Sequence, residues 1–312
     1  MAEPEVTRDT EVEGETRCGF IAVIGAPNAG KSTLVNALVG AKVTIVSRKV
    51  QTTRIPVRGI VVEGQSQLVF LDTPGIFRPR RRLDRAMVEA AWASALDADV
   101  VVLLVDAVKG IDEDVERILD RLSNAESPKV LVLNKVDRLK EKDKLLLLTA
   151  ELAKRIPFDR VFMTSALTGS GLEDLKSYLV GIVPEGPWHF PPDEISDLSE
   201  RKLAAEITRE KIYERLHEEL PYAATVETTD WKTRRDGSAR IEQTIFVERE
   251  SQRKIVLGKG GATIKQISME ARNELAQLFG HEVHLFLFVK VRENWADDPE
   301  RYREMGLEFP KE

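Results

Sequence analysis

Gly25-Ala26-Pro27-Asn28-Ala29-Gly30-Lys31-Ser32 leaves this chain few folds to choose from. The octet fits G-x-x-x-x-G-K-[ST], a loop that wraps phosphate between a strand and a helix. Its flanks agree. Phe20-Ile21-Ala22-Val23-Ile24 before it reads as a buried parallel strand, and Thr33-Leu34-Val35-Asn36-Ala37-Leu38-Val39 after it reads as a helix. Without side chains, Gly25 and Gly30 let the backbone close on phosphate oxygens, with successive N–H groups and the helix N-terminus facing the anion. Lys31 is placed to reach the β- and γ-phosphates, and the Ser32 hydroxyl to ligate Mg²⁺.

The next signals sit at the ends of further strands. Ala41 to Arg54 is basic and without period, a loop that carries Thr52 and Thr53. Pro56 to Val62 and Gln67 to Leu71 read as strands, the second running into Asp72-Thr73-Pro74-Gly75. This is the D-x-x-G of guanine-nucleotide proteins. Asp72 can hold Mg²⁺, often through water, and the Gly75 N–H can bond a γ-phosphate. Ser32, Thr53 and Asp72 are thus the expected metal set, with Thr53 joining in the GTP state and Thr52 its alternate. Leu83 to Leu96 reads as an amphipathic helix, Asp99 to Val105 as a buried strand, Ile111 to Leu122 as a helix and Lys129 to Leu133 as a strand.

Asn134-Lys135-Val136-Asp137 matches N-K-x-D, which selects the base. Guanine offers N1–H and an exocyclic amine side by side, and the Asp137 carboxylate can accept both. Adenine has no such donor pair and would leave the carboxylate unpaired, a costly mismatch. Asn134 is expected to tie this loop to the phosphate loop, and the stem of Lys135 to lie over the purine. Lys140 to Lys154 follows as a helix and Arg160 to Met163 as a strand. Thr164-Ser165-Ala166-Leu167 then matches an S-A-x loop whose Ala166 N–H can meet the guanine carbonyl, and Gly171 to Val183 closes the domain as a helix.

Alternating strands and helices over residues 19–184 predict an α/β domain, a doubly wound, mostly parallel P-loop GTPase sheet with ligands at strand carboxyl ends. Pro184, Pro187, Pro191 and Pro192 mark residues 185–199 as a stiff extended linker. Residues 200–312 read as a helix (Glu200 to Leu220), a hairpin (Tyr222 to Thr229, Arg240 to Glu248), the G-x-x-G loop Gly258-Lys259-Gly260-Gly261, a helix (Ala262 to Phe279) and a strand (Val283 to Val291). The α-β-β-α-α-β order resembles the type II, bacterial KH domain, an α+β module that clamps about four single-stranded nucleotides at G-x-x-G. That resemblance assigns RNA binding to Gly258, Lys259, Gly260, Gly261, Ile264 and Lys265, with Ile267 also lining the groove. Lys232, Arg234, Arg235, Arg253 and Lys254 are further candidates for backbone contact, each more simply read as a solvated charge. Arg78 to Arg82 is either a solvated loop or an RNA- or phosphate-sensing segment.

The order of motifs resembles translation-factor-type GTPases. A P-N-type phosphate loop joined to a KH domain, ending in Val289-Lys290-Val291-Arg292-Glu293-Asn294-Trp295, resembles the Era GTPase family. The resemblance implies a cytoplasmic, monomeric bacterial GTPase, using GTP/GDP and Mg²⁺, that binds 16S rRNA near its 3′ end and matures the 30S subunit. Peripheral membrane association is a further implication. Lys31, Thr53, Gly75 and Asn28 are the candidate catalytic residues; Ile76 stands where many GTPases have a water-orienting glutamine, so hydrolysis is expected to rely on the metal, the phosphate loop, a water held by backbone groups or a partner. In related GTPases an asparagine placed like Asn28 helps hold K⁺. The plainer reading of Asn28 is a brace for the loop.

Net charge is −6, which at first argues against nucleic acid. However, residues 1–18 alone carry −4 and residues 199–312 only −2, so the acidity sits largely in a polar N-terminal extension expected to be disordered. That start lacks the basic-then-apolar pattern of a signal peptide. Cys18 is the single cysteine, which excludes an intramolecular disulfide and fits a reducing cytosol. His189, His217, His281 and His284 read as surface residues. Two classes remain open: a GTP-hydrolysing switch on ribosomal RNA, and a nucleotide-gated RNA scaffold or membrane-associated regulator in which hydrolysis is incidental.

Overall fold

The computed structural model describes residues 15–217 and 219–310. Near-continuous apolar runs are what a parallel sheet covered on both faces requires. β1 (Arg17–Ile24), β3 (Ser66–Asp72), β4 (Val100–Asp106), β5 (Lys129–Asn134) and β6 (Arg160–Met163) run parallel, and β2 (Val57–Glu63) pairs antiparallel with β3, in the order β2-β3-β1-β4-β5-β6. Alternation along each strand splits the core. Ile21, Val23, Val102 and Leu104 pack with Leu34 of α1 (Lys31–Val39) and Leu175 of α5 (Leu172–Ile182). Ala22, Ile24, Val101 and Leu103 face α2 (Arg82–Asp97) and α3 (Glu113–Leu122), with Leu145 of α4 (Asp143–Arg155) on the same side. β1 lies where the winding reverses, between β3 and β4, so its carboxyl end opens a crevice at the phosphate loop.

β1 starts at Arg17, so Arg17 and Cys18 belong to the sheet and not to the extension assigned to residues 1–18. The rest of that extension, up to residue 14, lies outside the described residues.

The second domain has the expected order: α6 (Glu200–Arg215), β7 (Ala224–Thr233), β8 (Ala239–Val247), α7 (Glu250–Leu257), α8 (Ala262–Phe279) and β9 (Val283–Val291). β7 pairs antiparallel with β8, and β8 parallel with β9. Ile212, Val256 and Ile267 fill the core between the helices and this sheet. α6 stops at Arg215, short of the expected Leu220, where the Lys49 ammonium takes the carbonyls of Tyr213 and Leu216.

Two segments depart from the sequence reading. Residues 185–199 are no free spacer. Gly186 N–H donates to Thr16 O, the Trp188 indole to Gln65 O, and His189 and Phe190 N–H to the Gln67 side chain, which donates back to Phe190 O. The glutamine imitates a strand's backbone and pins the connector to the first domain. At the chain's other end, a 3-10 turn (Trp295–Asp297) and helix α9 (Pro299–Met305) return to the first domain. Trp295, Tyr302 and Leu307 pack on Leu83, Ala86 and Met87 of α2. Among the described residues no helix is long and apolar enough to cross a membrane.

Candidate nucleotide and RNA sites

Phosphate-loop glycines are explained by what a side chain would strike. A Cβ at Gly25 would lie 2.4 Å from Leu104 O, and one at Gly30, whose φ is +105°, would lie 2.5 Å from Asn134 Nδ2. The second contact matters because Asn134 is the bridge between the loops. Its Nδ2 donates to Ala29 O at 3.0 Å, and its Oδ1 accepts from Ala166 N–H at 3.0 Å. The amide expected to meet a guanine carbonyl is therefore already engaged inside the protein. Ser165 is buried and Leu167 is 80% exposed beside it. Lys135 sits in the left-handed region, and its ammonium bonds both Asn28 O and Asp106 Oδ2, so its stem is tied to the phosphate loop. Asp137 is exposed, its carboxylate open to a base.

Lys31 is buried and donates to Gly25 O and Ala26 O, both at 3.1 Å. Burial pulls its ammonium down to about 8, against the opposing pull of Asp72. Ala26, Pro27 and Ala29 complete the loop around it, and Thr33 follows at the helix start, half-buried. Asp72 is fully buried, and burial raises its carboxyl above the ordinary value. Its Oδ2 accepts from Ser32 Oγ at 2.8 Å, Thr53 Oγ1 at 3.2 Å and Thr44 Oγ1 at 2.8 Å, while Oδ1 is buried with no partner. Ser32 and Thr53 lie 3.0 Å apart. Three hydroxyls and an orphaned carboxylate oxygen form a hard oxygen donor set that fits Mg²⁺. Thr44 was missed by the sequence reading; it lies in an unpatterned loop with no motif to mark it. Thr52 bonds Lys49 O and stands apart from the cluster.

Thr73 Oγ1 donates to Val23 O, and Ile76 N–H to Gly25 O, holding Thr73-Pro74-Gly75 against the phosphate loop. The Ile76 side chain is buried in the core. Asn28 has φ +63°, and its side-chain amide donates to Arg48 O at 3.1 Å, a tie between phosphate loop and loop 41–54.

Loop 41–54 is also held from the other domain. Glu210 on α6 accepts from Val46 N–H at 2.7 Å and from Lys42 at 2.6 Å. Arg209 donates to Thr52 O at 2.6 Å, and Tyr213 OH to Gln51 O at 3.2 Å. Arg54 donates to Ala224 O at 3.0 Å and lies over the Trp295 ring. None of these pairings has a local signal in sequence.

In the second domain Gly258, Gly260 and Gly261 all have positive φ, and Gly258 packs on Thr263. Lys259, Gly260 and Lys265 are exposed and Ile264 is half-buried. Ile267 does not line the groove. It is fully buried in the core, because its position on α8 turns toward the sheet with Ala271 and Leu275. Ile255, one turn before Gly258 and 57% exposed, supplies apolar surface instead. Lys232 pairs with Asp230, and Arg253 with Glu250, as solvated charges do. His281 stacks on Phe279, and among the described residues no cluster of histidines, cysteines and acids could hold a metal.

Residues 20–135 match the family model described as a 50S ribosome-binding GTPase, and residues 219–296 match the KH domain. The chain is 65% identical over 298 residues to GTPase Era of a Bradyrhizobium species, covering 96% of each chain. It is 64% identical to GTPase Era of Rhizobium meliloti, over 95% of this chain and 94% of the other. Two solved structures of Era are 38% identical and cover 93% of this chain and 99% of theirs. One, with MgGDPNP and nucleotides 1506–1542 of 16S ribosomal RNA, superposes with a TM-score of 0.88. The other, from Aquifex aeolicus and bound to GDP and AlF4⁻, has 0.89. With both motif-bearing domains, their order and nearly the whole chain matched, this protein belongs to the Era family of GTPases.

Proposed function

We propose that the chain is a GTP-hydrolysing switch that binds 16S rRNA near its 3′ end and acts in small (30S) ribosomal subunit assembly. One observation carries the reading. Loop 41–54 touches Asp72 through Thr44 and Thr53 on one side; on the other it touches α6 of the KH domain through Val46, Gln51 and Thr52, and the start of β7 through Arg54. A change in this loop with the γ-phosphate is thereby felt by the RNA-binding half.

In this reading Gly25 to Thr33 cradle the phosphates, and Lys31 leaves the loop carbonyls to meet the β- and γ-oxygens. Ser32, Thr53 and Asp72 would hold Mg²⁺, which neutralises charge on the phosphates. Asp137 recognises the guanine, Lys135 covers it and Asn134 keeps both loops in register. The Gly75 N–H meets the γ-phosphate. Because Ile76 points into the core, the attacking water is held by backbone groups or by a partner. Asn28 either braces loop 41–54 through Arg48 O or also helps hold K⁺. Turnover in matched KCl and NaCl separates the two: faster hydrolysis in KCl supports the ion, and equal rates leave the brace. Gly258 to Gly261, with Ile264 and Lys265, receive single-stranded RNA. Association with a membrane surface is tested by vesicle flotation, and a monomer by sedimentation.

The deciding experiment measures GTP turnover with and without an RNA carrying the 3′ end of 16S rRNA, alongside crosslinking in cells with the sites mapped. Crosslinks elsewhere than the 3′ end, with turnover indifferent to RNA, would overturn the proposal.

A further inference from the structure

Between the two domains lies a cavity of 380 Å³, walled by Arg54 and Ile55, the end of the connector, α6, β7 and the C-terminal segment. Its charge is not balanced. Arg209 pairs with Glu206, and Arg301 with Glu227 and Glu304. Arg54, Arg201 and Lys202 have no carboxylate partner among the described residues. Arg54 makes its bonds to carbonyls, those of Pro221, Tyr222 and Ala224, and Arg201 donates to Thr228 O. Arg54 is only 5% exposed and Arg209 only 1%. In each, Nη1 is buried without a hydrogen-bond partner.

Arg54 and Arg209 share one carboxylate, Glu206, between two buried guanidiniums, and an unpaired donor on each adds to the cost. Proteins keep such an arrangement where an anion restores the balance. Phosphoryl oxygens suit it, because the planar guanidinium offers parallel donors to them. Arg201 and Lys202 are exposed at the rim and give the site a cationic entrance. The cavity has room for a small molecule and not for a folded partner.

We propose that this cavity is a binding site for a small phosphoryl anion, held between Arg54 of loop 41–54 and Arg209 of α6. Its ligand would join a loop of the nucleotide site to the first helix of the KH domain. The site is separate from the phosphate loop, whose lysine and glycines do not line it.

The test uses the full chain loaded with Mg·GDP, so that the phosphate loop is already filled. Inorganic phosphate and ribose 5-phosphate are titrated separately by calorimetry at constant ionic strength, with chloride as the reference. Saturable 1:1 binding of either is expected. Preference for ribose 5-phosphate would identify a phosphorylated metabolite, and equal binding a bare phosphate. Arg54→Gln should weaken binding at least tenfold. Since Arg54 also anchors loop 41–54, the rim double variant Arg201→Gln/Lys202→Gln provides a second test, with a several-fold loss expected. Retained GDP affinity shows that each variant is folded. Absence of saturable binding by the parent, or unchanged affinity in the rim variant, would overturn the site.

Discussion

The chain contains two glycine loops proposed to meet phosphates, and most of their glycines answer to different surroundings. In the phosphate loop glycine is needed because the protein itself is too close: Leu104 O and the Asn134 amide occupy the space a side chain would take. In the G-x-x-G loop, Gly260 and Gly261 have nothing within 4 Å of where a Cβ would lie. Gly258 is itself crowded by Thr263, but at Gly260 and Gly261 the left-handed backbone otherwise stands free, and there the space is left for something outside the chain. The first loop is preorganised by its own fold, and the second is an opening. Sensitivity to substitution should therefore appear in different measurements.

Gly30→Ala should have the largest effect. Left-handed backbone strain of about 1–2 kcal/mol adds to displacement of Asn134, whose lost bonds cost about 1–3 kcal/mol. We expect GDP affinity to fall at least about thirtyfold in a fluorescent-nucleotide titration. A fall of less than fivefold would mean that the loop adapts and that the contrast with G-x-x-G is false. Asp137→Asn should cost about 2–4 kcal/mol in GTP binding while improving binding of xanthosine triphosphate, whose carbonyl replaces the guanine amine. Equal GTP affinity to the parent would remove Asp137 from base recognition.

Gly260→Asp sharpens the other side of the comparison. With open space around it, and aspartate tolerant of this backbone region, folding should lose no more than about 1–2 kcal/mol. RNA binding in a gel shift should nonetheless be abolished, since a carboxylate would stand beside the RNA phosphates. Basal GTP hydrolysis should change little, and any stimulation by RNA should vanish. Undiminished RNA binding would send the search to Arg78 to Arg82 and to the Lys232 to Arg235 hairpin. The smallest effect concerns Tyr302, which bonds Ala296 O at the seam with α2. Burial pushes its phenol up to about 12. A raised phenol is neutral in the fold when the unfolded chain has begun to ionise. Its contribution is thus complete below about pH 10 and declines as pH rises toward 12. Ultraviolet titration should show a late-ionising tyrosine that Tyr302→Phe removes.

The nucleotide site was largely legible because its motifs are local and each sits at a strand end. Gly25 to Ser32, Asp72 to Gly75 and Asn134 to Asp137 each announce themselves within a few residues. Thr44 and Asp106 were not legible, since each reaches its partner across the fold from a stretch without pattern. Ile267 misled because a groove position and a core position share the same helical spacing. The connector misled for another reason. Its prolines do not hold it straight, since it turns at Pro191 to Glu194, and the buried side chain of Gln67 supplies the bonds that bind it to the first domain.

The return of the C-terminus to α2 bears on how the protein is made. Leu83, Ala86 and Met87 leave the ribosome early, but Trp295, Tyr302 and Leu307, which cover them, leave last. At about 5–20 residues per second, that apolar face waits roughly 10–40 s for its cover. Through that interval the nascent first domain presents a sticky flank on α2. A chain stalled before Trp295 would keep that flank open, and chaperones that seize apolar surface should be found on it there.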